Sequence, residues 1–129
     1  WQMIIDWITG YVFYRHGNPP AIGGTGSWQA WQYFVTSTNQ TMSVSGNGYI
    51  KIPGGLIIQW GKYGPVNTGG GQGPVNFPIA YPTGVFMVNA AGEATNQVEV
   101  APGTITTTGF KFDNNTGSNC YIHWISTGY

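Results

Sequence analysis

Apolar and polar positions alternate with a period of two over short runs, and glycine or proline punctuates each run. The pattern predicts strands over residues 2–7, 9–15, 28–35, 48–52, 55–63, 73–80, 85–90, 97–100, 104–112 and 119–126. Turn signals separate them, among them Pro53-Gly54-Gly55, Pro82-Thr83-Gly84, Pro102-Gly103 and Asp113-Asn114-Asn115. No stretch carries a 3.6-residue apolar period, and strong helix formers are sparse. Strands recurring at about ten-residue intervals are the pattern of a sandwich or small barrel. The expected fold is all-β, an antiparallel β-sandwich of short strands with a small N-terminal β segment. Its expected core is Ile50, Ile52, Leu56, Ile58, Trp60, Phe77, Phe86, Val88, Phe110, Phe112, Ile122 and Trp124.

The polar run Thr36-Ser37-Thr38-Asn39-Gln40-Thr41 places a domain boundary there, giving units of residues 1–40 and 41–129. Four of the six tryptophans, Trp1, Trp7, Trp28 and Trp31, fall in the first unit. About 40 residues do not normally bury a core alone. The segment is therefore expected to pack on the second unit, on a partner chain or on an upstream part. The opening residues lack both an initiator methionine and the basic leader of a signal peptide, which predicts a fragment of a longer protein.

Charge changes the picture most. Only 6% of residues are charged, four basic against four acidic, where a soluble domain carries about 25%. This leaves no electrostatic footprint for nucleic acid or an anionic membrane surface, and no apolar run is long enough for a spanning helix. The surface must be built from Thr, Ser, Asn, Gln and Gly, which suits contact with neutral sugars and equally suits an inert extracellular surface. The single cysteine, Cys120, excludes an intrachain disulfide and reads as a small buried hydrophobe.

The run Ile50-Lys51-Ile52-Pro53-Gly54-Gly55-Leu56-Ile57-Ile58-Gln59-Trp60-Gly61 resembles the opening of the C-terminal domains of contractile-phage tail fibres. Val75-Asn76-Phe77-Pro78-Ile79-Ala80-Tyr81-Pro82 and the ending Tyr121-Ile122-His123-Trp124-Ile125-Ser126-Thr127-Gly128-Tyr129 resemble two further elements of that family, in the same order. Upstream, Gly10-Tyr11-Val12-Phe13-Tyr14-Arg15 and Trp28-Gln29-Ala30-Trp31 resemble the close of knob-type modules in phage and R-pyocin fibres, with Gln29 standing where that module carries serine. The resemblance implies a homotrimeric fibre whose distal domain attaches to a bacterial surface polysaccharide. It also implies a virion protein, folded in the host cytoplasm and acting outside the cell.

Catalysis is not expected. The acids Asp6, Glu93, Glu99 and Asp113 stand singly, His16 and His123 lack metal-ligand spacing, and no Ser/His/Asp arrangement is legible. No metal and no cofactor is called for. A sugar site is expected in loops, from Lys62, Tyr63, Asn67, Gln72, Glu93, Asn96, Asp113, Asn114 and Asn115. Two competing readings are a structural trimerisation cap and, with less support, a glycan-degrading depolymerase.

Overall fold

The computed structural model describes residues 1–17, 23–34, 40–66, 72–93, 97–115 and 119–129. Every regular element among them is a strand, and the strands form three antiparallel sheets. The chain divides into two compact units, Trp1–Thr41 and Met42–Tyr129.

The first unit is one small sheet of β1 (Gln2–Ile5), β2 (Val12–Arg15) and β3 (Gln32–Tyr33), in that spatial order. The first predicted pair of strands is shorter than expected because Asp6 ends β1. Its carboxylate accepts from the Ile8 amide at 2.9 Å and the Thr9 hydroxyl at 2.6 Å, closing the turn into β2. Those same hydrogen bonds, Thr9 first, lower the Asp6 pKa. Arg15 lies between Trp28 and Trp31, 4.8 and 4.4 Å from the two ring centroids, and its Nε donates to Gln2 at 2.7 Å. Even so, Trp1 and Trp7 are 89% and 88% exposed, and Met3, Ile4, Ile5 and Ile8 lie open as well.

The second unit holds the core. A five-stranded sheet runs β4 (Met42–Ser43), β5 (Gly48–Lys51), β6 (Ile57–Val66), β11 (Cys120–Gly128), β8 (Val85–Gly92). A three-stranded sheet runs β7 (Gln72–Asn76), β10 (Gly109–Asn114), β9 (Val98–Val100). Ile57, Ile122 and Trp124 from the first meet Val75, Phe110 and Phe112 from the second, with Phe77 and Tyr81 from the intervening loop. Phe77 is the hub of an aromatic cluster, its ring 5.2 Å from Tyr81, 5.8 Å from Phe110 and 5.6 Å from Trp124.

The expected core was wrong in the phase of β6. Pro53-Gly54-Gly55 does form the β5–β6 turn, with Gly54 and Gly55 at φ 101° and 98°. Beyond it, Ile57, Gln59 and Gly61 point inward, while Leu56, Ile58 and Trp60 lie on the other side with Ile50 half-buried beside Ile58. Two interactions decide this. The fully buried Gln59 amide donates from Nε2 to the Ile79 carbonyl at 2.9 Å and accepts the Ile79 amide at 3.1 Å, so a polar side chain does the work of a strand partner. Gly61 is inward because the Trp124 ring fills the space a Cβ would need, at 2.6 Å. Phe86 also departs from expectation: it is 64% exposed and stacks on Tyr129 at 4.9 Å. Val88 is half-buried against the core, as are Ile79 and Ala90.

The predicted strand over 73–80 stops at Asn76, and the one over 104–112 begins only at Gly109. In the latter case threonine hydroxyls serve the backbone instead. Thr104 Oγ1 donates to the Ala101 carbonyl at 2.7 Å, and Thr106 Oγ1 donates to the Gly109 carbonyl at 3.0 Å. Cys120 is buried, and Tyr81 Oη shares a buried hydrogen bond of 2.8 Å with Ser126 Oγ. Burial pushes the Tyr81 phenol pKa up.

Replacing Gln59 by Ala leaves the Ile79 amide and carbonyl without their partner inside the protein. The expected cost is about 2–5 kcal/mol of unfolding free energy, read by denaturant titration. Gln59→Ala with an unchanged midpoint would contradict this account of the β6 phase.

Candidate functional site

The inward phase of β6 and β11 fixes what the opposite side of the sheet presents. On β11 the inward residues are Cys120, Ile122, Trp124 and Ser126, so Tyr121, His123 and Ile125 face out. In register, His123 stands between Lys62 of β6 and Ala91 of β8, and Ile125 between Trp60 and Asn89. Glu93 follows directly after β8, tied by its amide to the Tyr121 carbonyl at 2.9 Å. Its side chain therefore reaches back over the same face.

Three titratable groups meet there. Lys62 Nζ donates to Glu93 Oε1 at 2.6 Å, and His123 Nε2 lies 2.7 Å from the same oxygen. An ionised carboxylate only accepts, so Nε2 carries the His123 proton in this contact. The Lys62 ammonium also sits 4.0 Å from the Tyr121 ring centroid. Asn47 Oδ1 accepts the Lys62 backbone amide at 2.7 Å, steadying the strand at that point. The Lys62 and then the His123 hydrogen bond hold the Glu93 carboxyl below its ordinary pKa. All three side chains remain roughly half open to solvent. A shallow cavity of about 480 Å³ opens beside them, lined by Asn89, Ala90, Ala91, His123, Trp124 and Ile125.

A second cluster gathers on the three-stranded sheet. Asp113 of β10 stands opposite Glu99 of β9 on one side and Gln72 of β7 on the other. Asn115 Nδ2 donates to Glu99 Oε1 at 3.4 Å. The side chain of Gln72, and all of Asn67 and Asn96, lie outside the described residues.

The structure thus brings Lys62 of β6 together with Glu93, 31 residues away in the chain, and sets the neighbours Asp113 and Asn115 beside Glu99 of β9. It separates others. Asn114, expected in an exposed loop, continues the inward phase of Phe110 and Phe112 and is buried, with its Nδ2 3.6 Å from Cys120 Sγ. Tyr63 is in β6 rather than in a loop, 37% exposed, with its ring 5.8 Å from Phe112. His123 and Tyr121 were not among the expected site residues. The signal for them was present: the alternation Cys120, Ile122, Trp124 leaves the residues between them on the outer face. Among the described residues, no group of three or more His, Cys, Asp or Glu side chains is placed to hold a metal ion.

The sequence profile described as "tail fiber protein gp53-like, C-terminal" matches residues 51–129, which contain both clusters and most of the core. The chain belongs to this gp53-like tail-fibre family. Among solved structures it is similar to an N-truncated R1-type pyocin tail fibre, at 26% identity and a TM-score of 0.57, covering 70% of this chain and 85% of that one. It shares a fold with the R2 pyocin fibre of P. aeruginosa, at 22% identity and a TM-score of 0.61, covering 86% of this chain and 32% of that one. An uncharacterized protein of Methanocaldococcus jannaschii is 52% identical over 46 residues, 35% of this chain and 30% of that protein. The chain thus spans under a third of that curated relative's length. As a tail-fibre component, the gp53-like domain has its place in a virion or related fibre.

The depressed Glu93 pKa has a definite sign. A carboxyl whose folded value lies below its unfolded value favours the folded state above the unfolded value. That contribution is lost as pH falls through the folded value. A carbon-detected NMR titration is expected to place the Glu93 midpoint below the ordinary glutamate value, and Lys62→Ala to move it upward. A midpoint that ignores Lys62→Ala would contradict the cluster geometry.

Proposed function

We propose that the chain is the distal, receptor-binding part of a tail fibre, attaching it to a bacterial surface polysaccharide such as lipopolysaccharide or capsule without cleaving it. The observation that carries this reading is the convergence of Lys62, Glu93, His123 and Tyr121 on the outward face of a tail-fibre C-terminal domain. An aromatic ring beside mixed donors and acceptors is what a sugar demands: an apolar face to stack on and partners for its hydroxyls. Asp113 and Asn115 add acceptors and donors on the adjoining sheet. Each such site is shallow and individually weak. Repeated around a threefold axis, several weak sites acting together gain roughly 10²–10⁴ in avidity.

Homotrimerisation is part of the same proposal. Residues 1–41 expose Trp1, Trp7, Met3 and Ile5, a surface too apolar to be left to water. In this reading the unit is the close of a knob-like module whose apolar faces are covered by the other chains, and Met42–Tyr129 is a β-sandwich tip. The exposed tryptophans also favour the second reading, a structural cap that trimerises the fibre and binds nothing.

The two readings differ in solution. Sedimentation at micromolar concentration is expected to give one species of three chains. The double variant Glu93→Ala/His123→Ala is expected to keep that species and its melting profile while lowering cell attachment about tenfold. Full attachment by the double variant would leave the structural cap ahead, and a stable monomer would remove the trimer from both readings.

A further inference from the structure

The edge strand β8 separates two concavities. The first, of about 480 Å³, lies toward β11 and is lined by Asn89, His123 and Ile125. The second, of about 360 Å³, lies toward β9 and is lined by Gly92, Gln97, Val98, Glu99 and Asn115. Both are lined by Ala90 and Ala91, so the divide between them carries nothing larger than methyl groups. Each volume falls within the roughly 300–1,000 Å³ of small-molecule clefts. Polar side chains stand on both sides of the divide: Asn89 and His123 on one, Gln97, Glu99 and Asn115 on the other.

We infer that the two concavities form one extended subsite, which crosses β8 at Ala90–Ala91 and holds an uncharged oligosaccharide of two or more sugar units. The inference rests on the glycan-binding reading above and adds the length and charge of the ligand. Length follows from the spacing of polar groups on both sides of a low divide, because a single sugar occupies one concavity and leaves the other side's partners to water. Charge follows from the surroundings. The charged groups within and beside the groove are Lys62 and Glu93, which pair with each other, and Glu99 opposite Asp113, with Lys111 two residues from Asp113 on β10. A uronate or phosphate would meet Glu99, which lines the groove, and Asp113 opposite it, and like charges at close range disfavour binding. Amide and carboxylate groups instead suit hydroxyls, which both donate and accept.

The test uses the full chain and a strain to which it attaches. Surface polysaccharide from that strain is cleaved by mild acid, and the fragments are fractionated by length and charge. Each fraction then competes for cell attachment. Uncharged fragments of two or more units are expected to compete about tenfold or more better than single sugars, and fragments carrying uronate or phosphate to compete poorly at equal length. Ala91→Trp, which raises the divide, is expected to lower attachment. Because a bulky residue can disturb an edge strand, Asn89→Ala and Asn115→Ala serve beside it. Each should weaken competition by the longer fragments, and only the variant on the side that holds a single sugar should weaken competition by single sugars. Equal competition by single sugars and longer fragments would overturn the inference, as would preference for anionic fragments or indifference to all three variants. In those cases cell attachment itself stands. Failure of the unaltered chain to attach to any strain would instead defeat the glycan-binding reading, and the subsite with it.

Discussion

The register of β11 is the constraint on which the second unit depends. This strand pairs with β6 on one side and β8 on the other, and it buries every second residue from Cys120 to Ser126. Trp124 and Ile122 contribute about 1.5–3 kcal/mol each or more by leaving water. A slip of one residue would carry His123 and Tyr121 into the aromatic cluster and expel both anchors. The same register that seats Trp124 beneath Phe77 therefore holds His123 above, within reach of Glu93 and Lys62. Core and candidate site are two faces of one strand.

Charge is used with economy. Of four basic and four acidic residues, Lys62 and Glu93 meet with a histidine at one place on a sparsely charged surface. Asp6 and Arg15 serve local roles, one closing a turn and the other packing between two indoles. A fibre exposed to salt and protease gains little from scattered surface ion pairs, each worth about 0–1 kcal/mol. In the proposed reading, the cluster of three titratable groups beside an aromatic ring is a surface for recognition.

Much of this was legible in the sequence. The Pro53-Gly54-Gly55 turn, the inward Phe110, Phe112, Ile122 and Trp124, and the family resemblance of the last eighty or so residues all follow from residue pattern. The phase of β6 did not, because its inward residues include Gln59 and Gly61, neither apolar in the ordinary sense. Gln59 is buried because the Ile79 backbone needs partners, and Gly61 is a glycine because the Trp124 ring and the Asn47 side chain fill the space a Cβ would need. Both causes lie in other parts of the chain, where a local pattern carries no trace of them. Asn114 was misplaced for a related reason: an Asn-rich turn signal begins one residue before the strand has finished its alternation. Lys62 and Glu93 were each legible as candidates, but their meeting depends on the β6–β11–β8 order, which periodicity does not encode.

The central claim is that the outward face around His123 is where a surface polysaccharide is held. Hydrogen–deuterium exchange of the full chain, with and without polysaccharide from a strain to which it attaches, tests this most directly. The account predicts added protection in peptides of β8, of β6 and β11 around Lys62, Glu93 and His123, and of β9 and Asn115, with β5 unaffected. Protection confined to residues 1–41, or none at all under conditions where the cells are bound, would contradict it.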